Sequence, residues 1–185
     1  MRVIAGEFRG RRLLAPEGQD VRPTSDRVRE AIFSMLGEAV EGASCLDLFA
    51  GTGALGIEAL SRGATSCVFS DASRRSIALL HNNLKSLQVA DRADVLSADY
   101  RQALRKLRDK DAQVGIAFVD PPYAAGYYRP VMQMLADYGI ILIGGLVVVE
   151  SDARRRADID VDGFSIIREK TYGKVAVDIY EWVGV

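Results

Sequence analysis

The sequence predicts a doubly wound α/β sheet with an antiparallel edge. Three observations point there. From residue 44 onward, short apolar runs alternate with amphipathic helical stretches, the pattern of repeated βα units. The first run ends in a glycine-rich turn, Gly51-Thr52-Gly53-Ala54-Leu55-Gly56, placed between strand and helix. The last two strands, 165–168 and 175–182, have only Tyr172-Gly173 and a few polar residues between them. No helix fits there, so they pair antiparallel.

Taken in order, residues 2–5 and 10–14 flank Gly6-Glu7-Phe8-Arg9-Gly10 as a short N-terminal β-hairpin. Pro16, Gly18 and Pro23 interrupt regular structure. Thr24, Ser25 or Asp26 can cap a helix whose apolar face is Val28, Ala31, Ile32, Met35 and Leu36. Strands follow at 45–49, 66–70, 93–97, 114–119 and 146–150, with helices at 54–62, 73–87 and 100–108. Tyr128, Val131, Met132 and Leu135 form a further helical stripe. The chain divides into a basic arm, 1–22, and a Rossmann-like domain, 23–185.

Bulk properties exclude several classes. A chain of 185 residues with 49% hydrophobic and 26% charged residues has the composition of a folded globular domain and not of a disordered one. Its longest apolar stretch, 139–149, falls short of the roughly 20 residues a membrane span needs, and no signal-peptide core follows Met1. A cytoplasmic location is expected. Cys45 and Cys67 open apolar strands and read as reduced core thiols. His81 stands alone, so no metal site is expected. Net charge is −1, so any basic footprint is local. Arg2, Arg9, Arg11 and Arg12 face Glu7 alone, whereas Arg22, Arg27 and Arg29 mix with Asp20, Asp26 and Glu30. On composition alone this is a solvated mixed-charge surface.

The glycine loop satisfies G-x-G-x-x-G, and Asp71 ends the next strand. Both match a dinucleotide site. Asp47, inside the strand before the loop, argues for another cofactor. A pyrophosphate gains nothing from a carboxylate there, whereas the ammonium and sulfonium of S-adenosylmethionine do. Asp71 is placed to accept from ribose hydroxyls. Asp99, after the third strand, is placed to accept from an adenine amino group or to cap the following helix.

Asp120-Pro121-Pro122-Tyr123 closes the fourth strand. The amino group of a base is a poor nucleophile because its lone pair is delocalised into the ring. The Asp120 carboxylate and the Pro121 carbonyl can hold its two N–H groups and turn the lone pair outward, and the prolines fix the carbonyl direction. The carboxylate also stabilises charge that develops on nitrogen. Tyr123 offers a face for stacking the base, worth about 1–3 kcal/mol. The tetrad indicates amino-group methylation of a planar base without naming the base.

The chain resembles the RsmD family of bacterial 16S rRNA (guanine-N2) methyltransferases. The resemblance runs through Arg2-Val3-Ile4-Ala5-Gly6, Arg9-Gly10-Arg11-Arg12-Leu13, Arg22-Pro23-Thr24-Ser25-Asp26-Arg27-Val28-Arg29-Glu30, the glycine loop, Glu58-Ala59-Leu60-Ser61-Arg62-Gly63, the tetrad and Glu169-Lys170. The arginine-rich segment from Arg22 to Glu30 is what narrows the family. One position departs, since Asp71 stands where many relatives carry glutamate. The resemblance implies a Rossmann-like class I S-adenosylmethionine-dependent methyltransferase fold: a seven-stranded, mostly parallel sheet with an antiparallel C-terminal hairpin. It implies transfer to the N2 of a guanine in 16S rRNA within an assembled or partly assembled small subunit. The expected cofactor-binding residues are Asp47, Phe49, Gly51, Gly53, Asp71, Ala72, Asp99 and Tyr100. The expected catalytic residues are Asp120, Pro121, Pro122 and Tyr123. Arg2, Arg9, Arg11, Arg12, Arg22 and Arg27 are expected to hold RNA.

Overall fold

A computed structural model describes residues 1–15, 25–122 and 126–185. Seven strands form one sheet in the order β3-β2-β1-β4-β5-β7-β6. They are β1 (Ser44–Asp47), β2 (Ser66–Asp71), β3 (Ala93–Ser97), β4 (Val114–Val119), β5 (Ile141–Asp152), β6 (Phe164–Tyr172) and β7 (Val175–Trp182). The first five run parallel, and β7 is antiparallel to both of its neighbours, β5 and β6. The strand order reverses between β1 and β4, where a doubly wound sheet opens a crevice at its carboxyl edge.

Helices cover both faces. On one face, α1 (Asp26–Leu36), α2 (Ala54–Ser61) and α3 (Arg74–Leu87) bury Ile32, Phe33, Ile57, Leu60, Leu80 and Leu84 against Cys45, Phe69, Phe118 and Val148. On the other, α4 (Tyr100–Asp109) and α5 (Tyr128–Asp137) bury Leu104, Leu107, Val131 and Leu135 against Leu46, Val119 and Val147. Ser25 caps α1 by accepting from the Val28 N–H, and Ser73 caps α3 by accepting from the Ser76 N–H. Both cysteines are buried and free. Among the described residues, no helix is long and apolar enough to cross a membrane.

Three details differ from the sequence reading. The strand expected at 146–150 begins at Ile141. A register shift against β4, between Val114 and Ile116, absorbs the Gly144-Gly145 pair as a bulge, so the glycines do not end the strand. Arg29, grouped above with surface charge, is fully buried. Its guanidinium donates to the Arg2 carbonyl at 2.6 Å and to Asp26 at 2.9 Å, while Nε and Nη1 have no partner among the described residues.

The third detail concerns the arm, which is joined by one bridge, Arg2 to Arg12, and not by two strands. The two segments still pair antiparallel through Val3 N–H to Arg11, Gly10 N–H to Val3 and Leu13 N–H to Met1, and α2 holds the turn between them. Glu58 accepts from the Ile4 and Ala5 N–H groups at 2.9 and 3.1 Å. Ser61 Oγ accepts from the Phe8 N–H and donates to the Ala5 carbonyl. Val3, Phe8 and Leu13 enter the core. Residues 16–22 of the expected arm lie outside the described residues.

Candidate active site

The glycine loop turns from β1 into α2 through backbone that excludes side chains. Gly53 has φ +87°, and a Cβ there would lie 2.4 Å from Leu80. At Gly56 a Cβ would lie 2.3 Å from the Phe69 ring, so the glycine sets how closely α2 packs on β2. Asp47 closes the turn: its Oδ2 accepts from the Gly56 N–H at 2.9 Å. Burial pushes the Asp47 carboxyl up to about 7; the Gly56 N–H opposes the shift and the Asp71 charge adds to it. Asp71 accepts from Gly51 N–H at 2.8 Å and from Ser73 N–H at 2.7 Å. Its lone pairs are not exhausted by these two bonds. Ala72 lies exposed between them.

Asp99 caps α4 by accepting from the Gln102 N–H at 2.9 Å. Tyr100 follows it and is 4% exposed, and its hydroxyl has no partner among the described residues. Its ring lies 5.8 Å from the Phe49 ring, at the end of β1. The eight residues proposed for the cofactor therefore line the carboxyl ends of β1, β2 and β3.

Asp120 is partly buried directly after β4, Pro121 is buried and Pro122 is exposed. Tyr123 lies outside the described residues. Because Val119 is in register with Val149, Asp120 and Glu150 occupy neighbouring strand ends, and Glu150 is 5% exposed. The Tyr128 hydroxyl is buried without a partner among the described residues. Burial, and then the charges of Asp120, Glu150 and Asp152, hold it well above the usual phenol range.

Two features escaped the sequence reading. One is Glu150 beside Asp120, which lay hidden at the end of an apolar run. The other is Tyr127. Its ring stacks on Phe49 with centroids 6.1 Å apart and planes 6° from parallel, and it meets Tyr100 at 5.1 Å. Tyr127 precedes α5 and so ties the chain after Asp120-Pro121-Pro122 to the cofactor loop.

The expected RNA contacts lie on the N-terminal arm and on α1. Arg2, Arg9, Arg11, Arg12 and Arg27 are exposed, and Arg22 lies outside the described residues. Arg2 is 3.9 Å from Asp26. Arg11 donates to the Ser86 carbonyl at 2.6 Å and so packs on the end of α3. Among the described residues no His/Cys/Asp/Glu group forms a metal cluster.

Comparison with known proteins gives a consistent picture. Residues 1–181 match the family described as conserved hypothetical protein 95. The chain is 38% identical to ribosomal RNA small subunit methyltransferase D of Escherichia coli, over 98% of this chain and 89% of that one. It is 30% identical to the protein of the same name from Haemophilus influenzae, over 98% and 93%. The solved structure of yhhF from Escherichia coli superposes with a TM-score of 0.86 at 37% identity, covering 98% of this chain and 97% of that one.

Proposed function

The chain belongs to the conserved hypothetical protein 95 family, alongside ribosomal RNA small subunit methyltransferase D, and from that premise we propose that it transfers a methyl group from S-adenosylmethionine to the N2 amino group of a guanine in 16S rRNA, on an assembled or partly assembled small subunit. The observation that carries this reading is that the glycine loop and the Asp120-Pro121-Pro122 segment leave adjacent strands, β1 and β4, at the sheet's switch point. Tyr127, just before α5, lies against Phe49 and Tyr100.

The residues at the carboxyl edge fit the cofactor. Gly51 takes φ +55° with open space where a Cβ would stand, which leaves its backbone accessible to a ligand. A buried carboxyl at Asp47 suits a cationic end, Asp71 suits ribose hydroxyls, and the unspent Tyr100 hydroxyl supplies a further donor. When bound, S-adenosylmethionine supplies an activated methyl group on a sulfonium. Asp120 and the Pro121 carbonyl accept the two N–H bonds of the target amine and hold its lone pair on the line of attack. As nitrogen gains positive charge, the fixed Asp120 carboxylate stabilises it more than it stabilises the neutral amine. The surplus proton leaves to Asp120 or to water. A base held in this way is out of its stack, and Tyr123 can cover its face.

The test incubates the protein with labelled S-adenosylmethionine and, separately, unmodified small subunits, naked 16S rRNA and DNA, and then identifies the labelled nucleoside. N2-methylguanine from small subunits is expected. N6-methyladenine or N4-methylcytosine overturns the reading.

A further inference from the structure

The helix α3, Arg-Arg-Ser-Ile-Ala-Leu-Leu-His-Asn-Asn-Leu-Lys-Ser-Leu, carries three cations and no acid. Every other α-helix of the described residues has at least one acid: Asp26 and Glu30 on α1, Glu58 on α2, Asp109 on α4 and Asp137 on α5. The apolar face of α3, Ile77, Leu80, Leu84 and Leu87, is spent on the core. Its outer face is Arg74, Arg75, Ala78, His81, Asn82 and Lys85, all exposed. At helical spacing these residues form one stripe about 16 Å long.

Both ends of the stripe are placed. Arg74 and Arg75 follow Asp71-Ala72-Ser73, at the rim of the cofactor loop. Near Lys85, the arm is clamped to the helix by Arg11 on the Ser86 carbonyl at 2.6 Å. Asn83 reinforces this by accepting from the Leu14 N–H at 2.7 Å and donating to the Leu14 carbonyl at 3.1 Å. Arg9 and Arg12 on the arm, like Arg74, Arg75 and Lys85, form no ion pair among the described residues. Glu7, the one acid of residues 1–15, is turned to Arg92.

Resting on the reading of the protein as an RNA methyltransferase, we propose that the outer face of α3 continues the basic arm as a phosphate track, and that one strand of the RNA substrate lies along it from Arg11 to Arg74 and Arg75 at the mouth of the active site. The partner is fixed by charge complementarity: a row of exposed cations on a helix without an acid fits a phosphodiester backbone, and such contacts set position without reading sequence. The track leaves the target base free to enter at Asp120.

The test reverses charge on exposed positions that contribute nothing to the core. Arg74→Glu with Arg75→Glu is expected to weaken binding of 16S rRNA and of unmodified small subunits at least tenfold. It should also flatten the slope of log affinity against log salt by about one to two units, with S-adenosylmethionine affinity unchanged. Arg105→Glu with Lys106→Glu, exposed on α4 on the opposite face of the sheet, is the control and should cost less than threefold. Unchanged RNA affinity and salt slope in the α3 variant overturn the track. An equal loss in the α4 variant also overturns it, because the effect is then one of overall charge. A wild-type protein that binds RNA along α3 yet methylates no guanine sinks the proposed function and leaves the track standing.

Discussion

The two halves of the carboxyl edge are fastened by different means. On the side proposed for the cofactor, at the ends of β1, β2 and β3, three acidic side chains hold backbone: Asp47 on Gly56, Asp71 on Gly51 and Ser73, and Asp99 on Gln102. These bonds fix the turns, so the loop is shaped before any ligand arrives. On the catalytic side, at the end of β4, the fastening is proline stiffness before Tyr123 and aromatic contact after it, through Tyr127 to Phe49 and Tyr100. Aromatic pairs contribute about 0.5–1.5 kcal/mol each beyond their buried area. The cofactor half is therefore the rigid reference, and the catalytic half is positioned against it.

The largest expected effect tests the division of labour. Asp120→Ala should lower kcat by about a thousandfold, the scale of a lost group aimed at developing charge, while S-adenosylmethionine affinity by calorimetry changes less than threefold. Near-normal turnover in that variant sinks the mechanism. A parallel collapse of cofactor affinity erases the distinction between the halves.

Next in size is the bridge itself. Tyr127→Ala removes both ring contacts and is expected to cost about tenfold in kcat, with KM for small subunits changed less than twofold. Tyr127→Phe keeps both rings in contact and should restore at least half of the rate. If the phenylalanine variant is as slow as the alanine one, the hydroxyl acts and the stacking does not.

The smallest effect sharpens the cofactor side. The unfolded pKa of Asp47 is about 3.9, and its folded value is about 7. The folded chain thus holds a proton that the unfolded chain releases. That contribution to stability is complete below pH 4, declines as pH rises towards 7 and is gone above it. A cationic ligand beside Asp47 favours the carboxylate, so S-adenosylmethionine should displace part of a proton at pH 6 and none at pH 8. Calorimetry at pH 6 in two buffers of different ionisation heat reads this directly. Identical heats in the two buffers, or a difference that persists in Asp47→Asn, remove Asp47 from the cofactor contact.

Local pattern made much of the molecule legible. The expected bounds of β3 and β4, 93–97 and 114–119, are those observed, because each strand is an uninterrupted run with a turn or helix cap at its end. The Asp-Pro-Pro segment and the glycine loop were readable for the same reason, since their chemistry lies in adjacent residues. What stayed hidden depends on partners far along the chain. Tyr127 reads as an ordinary helix start until Phe49 and Tyr100 are brought to it. Arg29 reads as surface charge because its acceptor is the carbonyl of Arg2. The bulge at Gly144-Gly145 needs the register of β4 to be visible. Glu58, in a helix buried along nearly its whole length, gave no sign that it holds the arm.

That last feature bears on how the arm can be studied and how it can change. Glu58 is 1% exposed, and its acceptors are met by Ile4, Ala5 and Arg62. Asn83, equally buried, is met by Leu14 and Thr52. A chain begun after residue 14 leaves both groups in the interior with bonds broken, at about 1–3 kcal/mol for each unsatisfied group. Deletion therefore confounds recognition with folding, and side-chain exchange at Arg9 and Arg12 separates them, whereas Arg11 also holds the arm to α3. The arm's backbone is bound to the body's stability while the exposed side chains of Arg9 and Arg12 carry none of it, so a surface there can change without rebuilding the domain beneath it.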